Sequence, residues 1–252
     1  MVKAQEITKY CQELLKTENF KDYCHNGMQV EGKENVEKIV TGVSLSEKLI
    51  KKAIEKKADM IMVHHGFFGM SFGENPVIKY ASKKRLKLIL ENDLNVLGFH
   101  LPLDAHIEIG NNVSLAKLFA LKNIKPMTEA KDNYGFIGES DDTSLADFVK
   151  LIDEKLETRS TIIDGGNKQV KKVVIVSGGS ADYFMEAKNL GADTFICGEL
   201  KEHVVREAEE AEINVIAPGH YNTEKTGIQN LGEKVAKEFG VEVEFVYIPN
   251  SI

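Results

Sequence analysis

Residues 37–66, EKIVTGVSLSEKLIKKAIEKKADMIMVHHG, and residues 171–200, KKVVIVSGGSADYFMEAKNLGADTFICGEL, align without a gap: a strand, a helix, an Ala-Asp dipeptide, a second strand. After a longer loop in the first copy, ENDLNVLGFHLPLDA (91–105) matches EAEINVIAPGHYNTEK (210–225), again a strand and then a loop. One supersecondary unit therefore occurs twice, which leaves few architectures open to the chain. β-rich runs at 37–45, 59–65, 95–101, 171–179, 193–199, 214–220 and 241–248 predict strands. Helical periodicity fills most of the gaps, at 46–57, 82–92, 112–120, 181–189, 201–211 and 226–239. The expected fold is α/β: two related halves, each a mostly parallel sheet flanked by helices. The halves divide as 1–124 and 125–252 and are free to interlock. Their join is the polar, weakly periodic region between about 122 and 170, with a helix expected at 143–157.

At 252 residues and 42% hydrophobic content the chain can bury a full core. Its formal net charge of -7 argues against a duplex nucleic-acid or anionic-membrane binder, which needs a basic field. The one dense basic run, EKLIKKAIEKK (47–57), carries Leu49, Ile50, Ala53 and Ile54 at helical spacing, so its lysines read as the wet side of an amphipathic helix. Cys11, Cys24 and Cys197 form no C-x-x-C pair, and a reducing cytosol is the simplest setting. The N-terminus has helical periodicity in place of a signal peptide, and no apolar run approaches the roughly 20 residues of a membrane span. A cytoplasmic protein without a membrane partner is expected.

The repeat also aligns chemistry. His100-x-x-x-Asp104 corresponds to His220-x-x-x-Glu224, and His64-His65 correspond to Gly198-Glu199. All lie at C-terminal strand ends, where α/β sheets present their binding crevices. Adjacent strand residues face opposite ways, so His64 and His65 suit two ions better than one, provided the strand ends there and Gly66 turns the chain. Glu224 shares a face with His220 if a helix begins near Asn222 or Thr223, and its two oxygens can serve two metals. Asp104 adds a second carboxylate. The set His64, His65, Asp104, His220 and Glu224, with three nitrogens and two carboxylates, suits zinc, iron, manganese, cobalt or nickel better than calcium or magnesium. Two divalent ions and a bridging hydroxide leave a centre attractive to phosphate or another anion, and such a pair makes hydroxide near neutral pH.

Plainer readings stand beside these. Adjacent histidines at a buried strand end also serve as hydrogen-bonded structure. His100 reads either as a group behind the ligands or facing substrate, or as a packed residue. His106 and His203 read as surface residues, although Glu199-x-x-x-His203 has the spacing of one helical face. SGGS (177–180) is a tight strand-to-helix turn needing glycine, or a backbone cradle for phosphate. Phe67 and Phe68 line a cavity or fill core.

The segments HNGMQVEG (25–32), IMVHHGFFG (61–69), GFHLPLDAHIEIGNN (98–112), GGSADYF (178–184), CGELKEH (197–203) and APGHYNTEKTGIQNL (217–231) together resemble the GTP cyclohydrolase type 2 homologue family, also called the Nif-three-like family. The likeness runs in order along nearly the whole chain, and its length is that of short bacterial-type members without an inserted domain. The resemblance implies the Nif-three-like fold and a dinuclear centre on His64, His65, Asp104, His220 and Glu224, with Glu224 bridging. It also implies a toroidal homohexamer whose metal sites face an internal cavity. The chain departs from the family at His25, where members often carry an acid, and at Ser44-Leu45-Ser46, where many have an acid near the first core strand.

Three functions fit these residues. One is a metal-dependent hydrolase of a nucleotide or related phosphorylated heterocycle, with two divalent ions per subunit and with Glu224 and His100 as the catalytic candidates, His100 as proton shuttle. Another is a non-catalytic metal-binding adaptor or metallochaperone with a protein partner. A scaffold with a purely structural metal is a third.

Overall fold

The computed structural model describes residues 1–69, 77–128, 134–250 and 252. By contact the chain forms two compact units, Met1–Leu103 with Gly227–Pro249, and Asp104–Thr226 with Asn250–Ile252. The halves 1–124 and 125–252 follow the repeat, whereas these units follow the sheets.

The first unit opens with β1 (Val2–Lys3), α1 (Ala4–Leu15), β2 (Gly27–Val30) and β3 (Asn35–Val36), β1 and β3 pairing antiparallel. Next come β4 (Lys38–Ser44), α2 (Glu47–Glu55), β5 (Met60–His65), α3 (Tyr80–Glu91) and β6 (Asn95–Gly98). The short helix α4 (Leu101–Ala105) then carries the chain into the second unit. β4, β5 and β6 are parallel, and β2 lies antiparallel beside β6. Central strands are covered on both faces, which is why Met60–His64 of β5 are all buried and read as a continuous apolar run. On α2 the Ser46 hydroxyl caps the Leu49 amide at 3.2 Å, and Leu49, Ile50 and Ala53 face the core while the lysines stay wet.

The second unit contains α5 (Asn111–Leu118), β7 (Lys122–Pro126), β8 (Phe136–Ser144), α6 (Leu145–Leu156), β9 (Thr161–Ile163) and β10 (Gln169–Ile175). It continues through α7 (Phe184–Asn189), β11 (Thr194–Ile196), α8 (Glu202–Glu210), β12 (Asn214–Ala217) and α9 (His220–Thr223). Its sheet has the order β7-β8-β10-β11-β12-β9. Only its centre is parallel: β7, β8 and β9 join antiparallel, so this sheet is mixed. Of the polar join at 122–170, residues 129–133 lie outside the described residues, and the rest contains β7, β8 and β9 as well as the expected helix, α6. After α10 (Lys225–Phe239), β13 (Glu242–Phe245) pairs parallel with β4, completing the first sheet as β13-β4-β5-β6-β2.

The repeat is visible in individual hydrogen bonds. The Asp59 carboxylate accepts the amides of Glu37 (3.0 Å) and Lys38 (3.2 Å); Asp193, its counterpart, accepts those of Lys171 (3.0 Å) and Lys172 (2.9 Å). Asn95, fully buried, accepts the Gly32 amide at 3.0 Å and donates to the Lys33 carbonyl at 2.8 Å. Asn214, also fully buried, accepts the Gly165 amide at 3.0 Å and donates to the Asn167 carbonyl at 2.9 Å. The repeated unit therefore begins earlier than the aligned strings, at β2 and β9. Replacing either asparagine with alanine removes two backbone hydrogen bonds, to an amide that is half-buried at Gly32 and buried at Gly165, so Asn95→Ala and Asn214→Ala should each cost about 1–3 kcal/mol. Urea unfolding checks this, and a loss under about 0.5 kcal/mol for both would remove the role given to them.

Candidate functional site

In the first unit, His64 and His65 end β5 with ring centroids 4.6 Å apart and a mutual tilt of 48°. Gln29 on β2 holds the turn that brings this about. Its amide oxygen accepts the backbone amides of Phe67 and Phe68, and its nitrogen donates to the His25 carbonyl at 2.7 Å. A Cβ on Gly66 would lie 2.2 Å from that oxygen, so any larger residue after the pair would have to push the Gln29 side chain off these hydrogen bonds. His64 Nδ1 is 2.9 Å from the Phe99 carbonyl, which can only accept; the proton therefore sits on Nδ1 and Nε2 keeps its lone pair for a ligand. His65 Nδ1 meets the Ser44 hydroxyl at 3.0 Å.

His100, just after β6, joins them. Its Nδ1 lies 3.0 Å from the Asp22 carboxylate, its Nε2 3.3 Å from the Tyr23 hydroxyl, and its own amide donates to Asn26 at 2.7 Å. Asp22 also accepts the amides of Cys24 (2.9 Å) and Leu101 (3.0 Å). Burial disfavours the Asp22 carboxylate, but hydrogen bonds from His100, Asn26 and the Cys24 amide outweigh it and hold the group down at about 2. Burial, with Asp22 beside it, pushes the Cys24 thiol up to about 12, so it stays protonated. Donor atoms of His64, His65 and His100 lie within 4.8 Å of one another, close enough to share an ion.

In the second unit, Asp104 of α4 is buried and accepts hydrogen bonds from Asn111 Nδ2 (2.8 Å) and Ser177 Oγ (3.1 Å). Glu224, also buried, sits between α9 and α10 with Oε1 3.2 Å from His220 Nε2. The other ring nitrogen of His220 is 3.3 Å from Glu199. Burial works against a charged His220, yet Glu224 and then Glu199 outweigh it and raise the imidazolium to about 9. Carboxylate oxygens of Asp104 and Glu224 lie within 4.8 Å of each other. Gly178, at φ 67°, makes room for them: a Cβ there would lie 2.4 Å from Glu224 Oε1 and 3.2 Å from His220 Nε2. The Gly178 amide donates to Thr223 Oγ1 at 3.1 Å and its carbonyl accepts the Gly198 amide at 2.7 Å, so the backbone groups of this residue of SGGS are taken by protein partners.

The candidate residues thus gather in two clusters, His64, His65 and His100 in one unit and Asp104, His220 and Glu224 in the other. Sequence reasoning passed over the groups that aim them: Gln29, Asp22, Tyr23, Glu199 and Ser177. Glu199 has helical spacing to His203, yet its carboxylate turns to His220, and exposed His203 meets Asp182 at 3.0 Å. His106 is half-buried, its Nδ1 accepting the amides of Glu108 and Ile109. Gln29, Ser177 and Glu199 each lie inside a segment that the sequence picks out, HNGMQVEG, SGGS and CGELKEH, whereas Asp22 and Tyr23 lie in none. Phe67 packs in the first unit's core and Phe68 is exposed.

The donor sets pass a chemical test for a metal. The Nδ1 atoms of His64 and His220 are taken up by a carbonyl and a carboxylate, the outer partners that metal-ligating histidines ordinarily have, and a glycine keeps open the space around Glu224 and His220. Imidazole with carboxylate is the donor mixture of divalent transition metals. Fold and site together define an α/β protein of two related units whose strand ends carry clusters of His, Asp and Glu able to hold metal ions.

The family model described as Duf34/NIF3 (NGG1p interacting factor 3) matches residues 2–251, and the chain belongs to that family. It is 40% identical over 247 residues to a protein of Haemophilus influenzae named GTP cyclohydrolase 1 type 2 homolog, covering 97% of this chain and 98% of that one. Among solved structures it is similar to protein ybgI, described as of unknown function (TM-score 0.94, 36% identity), and to TTHA1606 from Thermus thermophilus (TM-score 0.89, 30% identity). Each of these pairs covers 100% of both chains.

Gly178→Ala should displace the Glu224 carboxylate and strain the turn, so bound metal, measured by elemental analysis, should fall well below the wild-type content; equal content would refute the crowding. Asp22 has a folded value below the ordinary carboxylate range, so its stabilisation is complete above about pH 4 and lost as the pH falls toward 2. Asp22→Asn should therefore show a shallower loss of stability over that interval in acid titrations followed by circular dichroism, and an unchanged slope would contradict the assignment.

Proposed function

We propose that the chain binds two divalent transition-metal ions through His64, His65, Asp104, His220 and Glu224, and that it hydrolyses a nucleotide or a related phosphorylated heterocycle. The observation that carries this is the Glu224 carboxylate, buried within reach of both Asp104 and His220, where a bare Gly178 admits it. Chain order supports joining the clusters: Asp104 follows His100 by four residues inside the same short segment, and the chain returns to the first unit three residues after Glu224. Two such ions, drawn from zinc, iron, manganese, cobalt and nickel, supply a deprotonated water near neutral pH and a Lewis acid for the bond under attack.

The chain's own residues do the rest. The Phe99 carbonyl and Glu199 hold His64 and His220 by Nδ1, so in each ring Nε2 is the atom that would ligate a metal, beside Glu224 in the case of His220. His100 moves the proton: Asp22 fixes its Nδ1, so Nε2 and the adjoining Tyr23 hydroxyl take up or return it. The name of the Haemophilus relative makes GTP, opened at its guanine ring, the first substrate to test. As the resemblance implies, the active form is read as a toroidal homohexamer. Among the described residues no helix is long and apolar enough to cross a membrane. The three cysteines are free thiols, in keeping with a cytoplasmic setting.

Wild-type protein is expected to hold about two ions per chain, and His64→Ala and His220→Ala each fewer; content unchanged in both would sink the ligand set. Metal-loaded protein screened against GTP, other nucleotides and damaged nucleotides should turn over at least one of them, with Glu224→Gln slower by about 100-fold or more. If no substrate separates the two proteins, the hydrolase fails, and transfer of metal to an acceptor protein would then support the adaptor or metallochaperone.

A further inference from the structure

Beside the histidine cluster of the first unit lies a cavity of about 570 Å³, within the range of small-molecule sites. His65 forms part of its wall, with Ser44 and Tyr23, which hydrogen-bond His65 and His100. Three aromatic rings line it, Tyr23, Phe67 and Tyr80, together with two cations, Lys79 and Arg85, and among the described residues no Asp or Glu does. A chain of net charge -7 has here gathered positive charge and ring faces around one of its metal-binding candidates. Tyr80 is 79% exposed and held at φ 48°, a left-handed backbone that bulky residues avoid, with Lys79 Nζ 5.6 Å from its ring centroid. A large exposed ring kept at a cavity rim under backbone strain is a feature of binding more than of packing.

We propose that this cavity is the recognition site for a nucleoside polyphosphate, the base stacked on the tyrosine and phenylalanine rings and the phosphates paired with Arg85 and Lys79. Rings and cations each have a separate use for such a ligand: stacking accepts any base, and the guanidinium takes phosphate oxygens two at a time. The hydrolase reading enters only in calling the ligand a substrate. A second cavity, in the other unit, makes the contrast. It measures about 350 Å³, has Arg159 as its cation, Glu199 in its wall and, among the described residues, no aromatic ring, and is a poorer match to a base.

Titration calorimetry of the metal-loaded full chain with GTP and with ATP tests the proposal, with metal content measured on every variant. Wild type should bind at least one of the two. Arg85→Ala should weaken binding about tenfold or more, Lys79→Ala somewhat less, and Tyr80→Ala about fivefold. Metal content should stay at the wild-type level in all three, and Arg159→Ala should bind as wild type. The proposal is overturned if neither nucleotide binds, if the Arg85 and Tyr80 variants bind like wild type, or if Arg159→Ala is the variant that loses binding. Arg85-dependent binding without turnover would uphold the cavity and remove the hydrolase. Turnover that needs Glu224 but is indifferent to Arg85 and Tyr80 would do the reverse.

Discussion

The grip of Asp59 and Asp193 on two successive amides just ahead of where the preceding strand begins its parallel pairing sets the register of the parallel strands, and the rest of the molecule follows from that register. Side chains alternate along a strand, so a slip of one residue would send His64 to the other face and bury His65 in its place. Each aspartate takes two amides and thereby ties the start of β5 to β4 and of β11 to β10. Asn95 and Asn214 do the same for the edge strands β2 and β9. Both units fasten the amino ends of their strands in this way, and at the carboxyl ends the chain is free to differ: histidines in one copy, glycine and glutamate in the other.

Those carboxyl ends are held by partners of three chemical kinds. His64 leans on a carbonyl, His65 on a hydroxyl, His100 and His220 on carboxylates. The four rings therefore differ in what fixes them: the carbonyl sets the tautomer of His64, while, against the pull of burial, Glu224 and Glu199 raise the imidazolium of His220. His100 is held by a carboxylate on one nitrogen, from Asp22, and a hydroxyl on the other, from Tyr23, and that pairing fits a group that passes protons.

Much of the fold was legible because it rests on local periodicity. The strands at 37–45, 59–65 and 95–101, their counterparts in the second copy and the helices between them coincide with β4, β5, β6, β10, β11, β12 and α2, α3, α7 and α8 to within a few residues. The antiparallel strands of the second sheet were harder to read. β8 runs from buried Phe136, Ile137 and Gly138 into exposed and acidic residues and carries a bulge against β10, so it shows neither an apolar run nor clean alternation. β9 is three residues long, and two of them are exposed.

Residue chemistry, read with the repeat, was enough to choose the donors: two histidines at a strand end, an aspartate and a glutamate each four residues after a histidine. Sequence could not say what aims them, because the partners are remote. Gln29 reaches the amides of Phe67 and Phe68, Asp22 reaches His100, and Glu199 reaches His220 only once the strands are side by side. Nothing in a local pattern announces a hydrogen bond closed across a sheet. Nor does it announce that the C-terminal strand pairs with β4, so that the contact units differ from the repeated halves. The sequence by itself determined which groups are available for chemistry and that their strands would be parallel. Tertiary structure decided their tautomers, their charge and the space around them, because those depend on neighbours that packing alone brings within reach.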